Sequence, residues 1–454
     1  MRRPPTRIAP PATRPRRRLA LPRHRSTTAQ MCAIYPGVVQ APLPEVGPLL
    51  GTDLSAGYGP LCWDPFEAYE QGLVTNPSAF VMGEPGYCKS SLMKCWGAWQ
   101  HSLYGPSRWL TITDPKGEYR PLAERNGMSV IRLEPGGDTR INPLESHTRF
   151  GTTADLKERT QDRIVQATML YSLTGTQLER RPTPLERKVL RTVVDILGDH
   201  TAGPAPTLSD VLHLLATPTD EMCAVTRRTS DQLVRDVEEV RYALDELCTG
   251  PLRGMFDGPS NVDVDWNGSG LVMDLSGVVD DERAMALAMV ASVSWSRQQR
   301  RRLGDRQRIN QNDESYYMYR LAETVEFAQE RRKLGRSYGE ANIDICHRPS
   351  DLSSQADDGS KIAKMAKGLI ADSSMKVIFR QAPSELAAAC EMFDLSTTEV
   401  DCISSAVRGR ALWKVGDRSL VAQHHRPPAL HAVTDTDSFM RRDSLLDDAE
   451  REAA

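Results

Sequence analysis

Residues 79–90 read Ala-Phe-Val-Met-Gly-Glu-Pro-Gly-Tyr-Cys-Lys-Ser, and this stretch decides the fold. Its first four residues are an apolar run of strand length, and a helical stretch is predicted from residue 90 to about 102. Between them, Gly83 to Ser90 follow the pattern G-x-x-x-x-G-K-[ST] at every position but one. In a strand–turn–helix context such a loop turns its backbone N–H groups onto phosphate oxygens, and the helix N-terminus adds positive potential. The candidate cofactor-binding residues are therefore Gly83, Glu84, Pro85, Gly86, Tyr87, Cys88, Lys89, Ser90 and Ser91, with ATP as the ligand. Lys89 would reach the β- and γ-phosphates as a catalytic cation, and Ser90 would ligate Mg²⁺. Cys88 stands where the motif has glycine, so its Cβ either crowds the phosphate or strains a glycine backbone geometry. A strand–turn–helix corner with no ligand is the competing reading.

The pattern outward from the loop is that of an α/β chain. Strands are expected at 109–113 and 128–133, and strand, loop and helix in alternation argue for a parallel sheet with crossover helices. Residues 151–250 break the alternation, because Leu156, Ile164, Leu170, Leu190, Val193 and Leu212 recur at roughly helical spacing with few strand signals. An all-helical insertion is expected there. The sheet then resumes at 271–275, 341–346 and 375–379, with a long helix over 281–302 and a terminal hairpin over 409–422 turning near Gly416-Asp417. The fold class is thus a mainly parallel, RecA-like P-loop sheet with a helical insertion. Its divisions are a disordered Arg/Pro-rich tail (1–30), an irregular lead-in (31–78), a first ATPase part (79–150), the insertion (151–250), a second ATPase part (251–425) and a polar C-terminal tail (426–454).

Composition excludes several classes. With 454 residues, 40% hydrophobic and 26% charged, the chain is long enough to bury a large core. No stretch approaches the roughly 20 apolar residues of a membrane span, and residues 284–295 read as a buried helix. A cytoplasmic protein is expected, with any membrane association peripheral or through partners. The net charge of −3 is uneven: residues 1–30 hold nine arginines and no acid, leaving −12 for the rest. That tail is either a tether for nucleic acid or anionic lipid, or an extension without a role. The nine cysteines are scattered without a close CxxC pair, which fits a reducing compartment and gives no metal site.

A phosphate loop that hydrolyses ATP needs an acid at a strand end for Mg²⁺ and a carboxylate to orient water. Asp274 follows three apolar residues on a credible strand. Asp313-Glu314 supplies a pair, but Ile309-Asn310-Gln311-Asn312 before it is mostly polar, and on its own it reads as a solvated turn.

Further segments carry a resemblance. Ser26-Thr27-Thr28, Ala33-Ile34-Tyr35-Pro36, Trp63-Asp64-Pro65-Phe66 and Thr75-Asn76-Pro77 precede the loop. Asp114-Pro115-Lys116-Gly117-Glu118-Tyr119, Arg140-Ile141-Asn142-Pro143-Leu144 and the run from Arg331 to Gly339 follow it. His347 to Leu352, Phe379-Arg380-Gln381 and Ala411 to Gly416 complete the order. Together they resemble the actinobacterial TraC/TraG-like conjugation and type IV secretion ATPases, of the FtsK–HerA class of P-loop motors, over about residues 26–425. The large domain that usually precedes this region in such ATPases has the Arg/Pro tail in its place.

The resemblance implies an ATP-driven motor working as a ring, a hexamer, at the inner face of the cell membrane. Its partners would be channel components and DNA. It also implies that Asp313, rather than Asp274, serves the metal and that Glu314 orients water. Arg380 would act near the γ-phosphate of a neighbouring subunit, with His347 and Gln381 as sensors. Asp114 and Lys116 either belong to this machinery or cap the next helix. A non-hydrolysing nucleotide-binding scaffold is the alternative that Cys88 and the polar run before Asp313 favour.

Overall fold

Short apolar runs that alternate with amphipathic helices bury both faces of a sheet, and that is the arrangement seen in the computed structural model. It describes residues 43–55, 57–145, 156–199, 205–278, 280–319, 338–352 and 368–435, with isolated positions between 320 and 337. The expected tail 1–30 and residues 436–454 of the expected tail 426–454 lie outside the described residues, whereas 426–435 are described and bury Leu430 and Val433. The described strands are β1 (Leu49–Asp53), β2 (Gly59–Cys62), β3 (Ala79–Met82), β4 (Arg108–Asp114), β5 (Ser129–Arg132), β6 (Gly270–Asp274), β7 (Gln307–Asn312), β8 (Glu340–Cys346), β9 (Met375–Phe379), β10 (Arg410–Val415) and β11 (Arg418–His424). They form one sheet in the order β2-β1-β11-β10-β9-β3-β8-β7-β4-β6-β5. From β9 to β5 every pairing is parallel; from β9 to β2 every pairing is antiparallel. The expected terminal hairpin is β10–β11, and β1–β2 is a second one in the lead-in.

Two apolar layers cover the sheet. On one face lie α1 (Pro65–Glu70), α2 (Lys89–Tyr104) and α3 (Arg120–Asn126). Leu92, Met93 and Trp96 of α2 recur at helical spacing and pack with Val81, Ile112, Ile343 and Val377. Burying each such side chain contributes roughly 1.5–3 kcal/mol. Helix α2 ends at Gly105, whose φ of 53° and N–H bond to the His101 carbonyl close it before Pro106.

The opposite face carries the expected helical region: α4 (Leu156–Leu178), α5 (Pro184–Asp199), α6 (Leu208–Ala216), α7 (Asp220–Thr226), α8 (Ser230–Asp236) and α9 (Glu238–Thr249). Capping boxes at Thr207/Asp210 and Thr229/Gln232 start α6 and α8. Leu170, Val193 and Leu244 from these helices share one core with Phe80, Met82 and α10 (Glu282–Gln298). The apolar stretch 284–295 is the buried part of α10, and no described helix is long and apolar enough to cross a membrane. Further helices among the described residues are α11 (Tyr316–Tyr319), α12 (Leu386–Phe393), α13 (Thr397–Ser404) and α14 (His431–Thr434), and α14 packs against α2.

One sequence expectation is corrected. Residues 307–312 form the central strand β7, so Asp313 and Glu314 do not lie in a solvated turn; each is 3% exposed. Polar residues on the neighbouring strands answer Asn310 and Asn312 of β7, whereas Gln311 between them is buried with neither amide atom bonded to the protein. Thr113 Oγ1 of β4 donates to Asn312 Oδ1 at 3.3 Å, Asn312 Nδ2 donates to Asp344 Oδ1 of β8 at 2.6 Å, and Asn310 Nδ2 donates to Asn342 Oδ1 at 3.3 Å. Asp344 is ion-paired with the buried Arg332, which also donates to Ser373 Oγ at 2.6 Å.

Candidate nucleotide site

The loop leaves the C-terminal end of β3 and enters α2. Gly83 sits so close to the end of β9 that a Cβ would collide with the Cβ of Phe379. Gly86 has φ 81°, and Cys88, the residue before the first turn of α2, has φ 79° and ψ 20°. The backbone thus takes the left-handed geometry that the motif's glycine adopts freely, and Cys88 holds it under strain. Cys88 is a free thiol, as are all eight described cysteines.

Lys89 is buried, and its Nζ donates to the carbonyl of Gly83 at 2.5 Å and that of Glu84 at 3.0 Å. Burial pushes its pKa down to about 8, against the partial opposition of Glu314 and Asp313. This ammonium is therefore bound to the loop's own backbone and lies in the field of the two acids that end β7.

Those acids differ. Burial pushes Asp313 up to about 6, and the neighbouring Glu314 charge adds to the rise while Lys116 opposes it. Burial also acts to raise Glu314, but His347 and Lys116 outweigh it and hold its carboxyl below the usual range. His347 Nε2, at the end of β8, donates to Glu314 Oε1 at 2.7 Å, and Lys116 is ion-paired with the same oxygen. Glu314 Oε2 is buried without a protein partner, and the Glu314 backbone is left-handed at φ 47°.

Asp114 and Asp274 take other roles. Asp114 Oδ1 accepts from Lys116 N at 3.2 Å and Oδ2 from Tyr119 N at 2.8 Å, so it closes the loop that leads into α3. Burial pushes its carboxyl up to about 7. Lys116 reaches across to Glu314 instead of capping α3. Asp274 Oδ1 accepts from the Ser276 N–H and Oγ–H at 3.0 and 2.7 Å, two strands from Asp313.

Arg380, just after β9, lies against this chain's own loop. Its Nη1 donates to the Tyr87 hydroxyl at 2.6 Å, and its guanidinium lies 5.4 Å from that ring's centre. Gln381 is buried, with Nε2 near the Phe379 carbonyl at 3.4 Å and Oε1 without a protein partner.

A cleft of about 470 Å³ opens beside the loop, within the roughly 300–1,000 Å³ of small-molecule pockets. Residues 85–86 and 88–91 form one wall, Lys116 and His347 the end beside Glu314, and residues between 408 and 435 the far wall. The sequence reading missed that far wall, whose residues match no motif. For Mg²⁺ the donor set fits: Ser90 and Asp313 offer hard oxygen ligands, and a cation would favour the ionised form that burial disfavours at Asp313. Among the described residues no group of three or more His, Cys, Asp or Glu forms a ready metal cage. A phosphate-supported metal site needs none.

Neither a family model nor a curated protein matches the sequence. Solved structures match in fold. The structure of VirB4 of Thermoanaerobacter pseudethanolicus superposes with a TM-score of 0.68 at 18% identity, covering 86% of this chain and 99% of that one. The bacterial conjugative coupling protein TrwBdeltaN70 in its unbound form gives 0.50 at 15% identity, over 84% and 89%. The plasmid coupling protein TrwB in complex with the non-hydrolysable GTP analogue GDPNP gives 0.50 at 14%, over 84% and 90%. By its strand order, its phosphate loop and these likenesses, the chain has a RecA-like, α/β P-loop NTPase fold.

Proposed function

We propose that this chain is an ATP-binding motor subunit that couples ATP hydrolysis to the transfer of DNA or protein through a conjugation or type IV secretion channel. One observation carries the reading: a buried lysine in a glycine-rich loop faces a buried Asp-Glu pair, with a histidine bonded to the glutamate. The likeness in fold to VirB4 and to the conjugative coupling protein supports the choice of apparatus.

In this reading Lys89 exchanges its two carbonyl partners for phosphate oxygens and stabilises charge on the transferring group. Ser90 and Asp313 would hold Mg²⁺, which when bound would offset the negative charge of the phosphates. Glu314 Oε2 accepts a hydrogen bond from the attacking water, while His347 and Lys116 keep the carboxylate ionised and oriented. Arg380 serves the nucleotide from beside Tyr87, either in its own subunit or across a ring interface. The working form is a homo-oligomeric ring at the inner face of the membrane, with channel components and DNA as partners.

Steady-state ATP turnover by the purified chain tests this. Lys89→Ala should abolish binding and turnover. Glu314→Gln should keep binding and lower kcat by about 10²–10⁴. A parent protein that binds no labelled ATP at saturation sinks the proposal. The second reading, a nucleotide-binding scaffold, is favoured by the strain at Cys88 and the Lys116 pairing to Glu314. Thermal stabilisation by ATP without turnover would select it.

A further inference from the structure

We propose that the nucleoside end of the bound nucleotide seats on the chain's C-terminal segment, with Arg426 facing the α-phosphate and Thr434 and Asp435 accepting hydrogen bonds from the nucleoside. This deepens the nucleotide reading of the loop and rests on it.

The direction of the ligand follows from the cleft. Lys116 and His347 mark the end where the γ-phosphate must lie, because both hold Glu314. A triphosphate laid along the loop amides therefore leaves with its α-phosphate near Ser90 and Ser91, heading away from β7 and β8. What it meets there is the far wall, where Arg426, Thr434 and Asp435 line the same cleft.

That wall is built rather than incidental. Ser91 Oγ lies 3.3 Å from His424 Nε2, which joins the first turn of α2 to the last residue of β11. A carbonyl only accepts, so the 2.8 Å contact between His424 Nδ1 and the Leu50 oxygen puts the proton on Nδ1 and leaves Nε2 to accept from Ser91. Burial pushes the His424 pKa down to about 4, so the imidazole stays neutral and the positive charge at this end comes from Arg408 and Arg426. The His424 N–H also bonds the Gly409 carbonyl at 2.7 Å.

Leu430 and Val433 anchor α14 in the core shared with α2, and Thr434 Oγ1 donates to the Leu430 carbonyl at 2.7 Å. With its proton so committed, the Thr434 oxygen offers lone pairs to the cleft. The Asp435 carboxylate, next in the chain and half-buried, lines the same cleft. Acceptor oxygens beside a cation suit a phosphorylated nucleoside, whose hydroxyl and amino groups are donors.

The test is calorimetric binding of ATP and of inorganic tripolyphosphate to the full chain. The parent should prefer ATP. Asp435→Ala and Asp435→Asn should cut the ratio of tripolyphosphate Kd to ATP Kd by about ten- to hundredfold, as for a lost hydrogen bond to a charged group. In the parent, 2′-deoxy-ATP loses that factor if Asp435 binds the ribose, and the triphosphate of purine riboside loses it if Asp435 binds the base. An unchanged ratio in both folded variants, or full affinity for both analogues, overturns the inference while leaving the loop reading intact. Binding of neither ATP nor tripolyphosphate by the parent removes both.

Discussion

Strands β3 and β7 flank β8, and both lead into the candidate site from their C-terminal ends, yet they are made differently. β3 is Ala-Phe-Val-Met, wholly buried among apolar neighbours. β7 is Gln-Arg-Ile-Asn-Gln-Asn, and its Asn310 and Asn312 are matched by Asn342, Thr113 and Asp344. A central strand can therefore carry polar side chains where neighbouring strands pair with them, as at Asn310 and Asn312, although Gln311 stays buried without a protein partner. At the end of β3 the constraint is space, shown by Gly83 against Phe379; at the end of β7 it is pairing, completed by Arg332.

Three substitutions sharpen or break that contrast. The largest effect is expected at Arg332→Ala, which leaves the Asp344 carboxylate buried and unpaired and should cost about 3–5 kcal/mol in denaturant unfolding. A loss under about 1 kcal/mol would mean that the polar row does not hold β7. Next, Gly83→Ala forces a Cβ onto Phe379 and should destabilise by about 1–3 kcal/mol, with weaker ATP binding. A neutral Gly83→Ala would show that the end of β9 yields. The smallest effect is a gain: Cys88→Gly removes about 1–2 kcal/mol of left-handed strain but frees the unfolded chain, for a net stabilisation of about 1 kcal/mol. A fall in melting temperature in Cys88→Gly would remove strain as the description of this position.

The contrast also explains what could be read beforehand. β3, the loop and α2 were legible because periodicity and motif agree there, and the left-handed geometry at Cys88 follows from the glycine that the motif puts in its place. β7 was not legible, because its partners lie 32 residues downstream at Asn342 and Asp344 and 199 upstream at Thr113. No window along the chain contains that row. The resemblance put Asp313-Glu314 ahead of Asp274 where local polarity could not. The wall formed by Arg426, Thr434 and Asp435 is invisible for the same reason as β7: it becomes a surface only when β11 runs beside the lead-in strand and α14 folds back onto α2.

The pairing of β1 with β11 has a mechanical consequence. The strands are antiparallel, and Gly51 in the middle of one lies opposite His424 at the end of the other. Traction that draws the flanking segments apart loads the ladder one rung at a time, like a zipper opened at its tab, because the rungs lie across the strands. In a single-molecule pulling experiment this margin would give way at low force, while the parallel centre that carries the phosphate loop still stands.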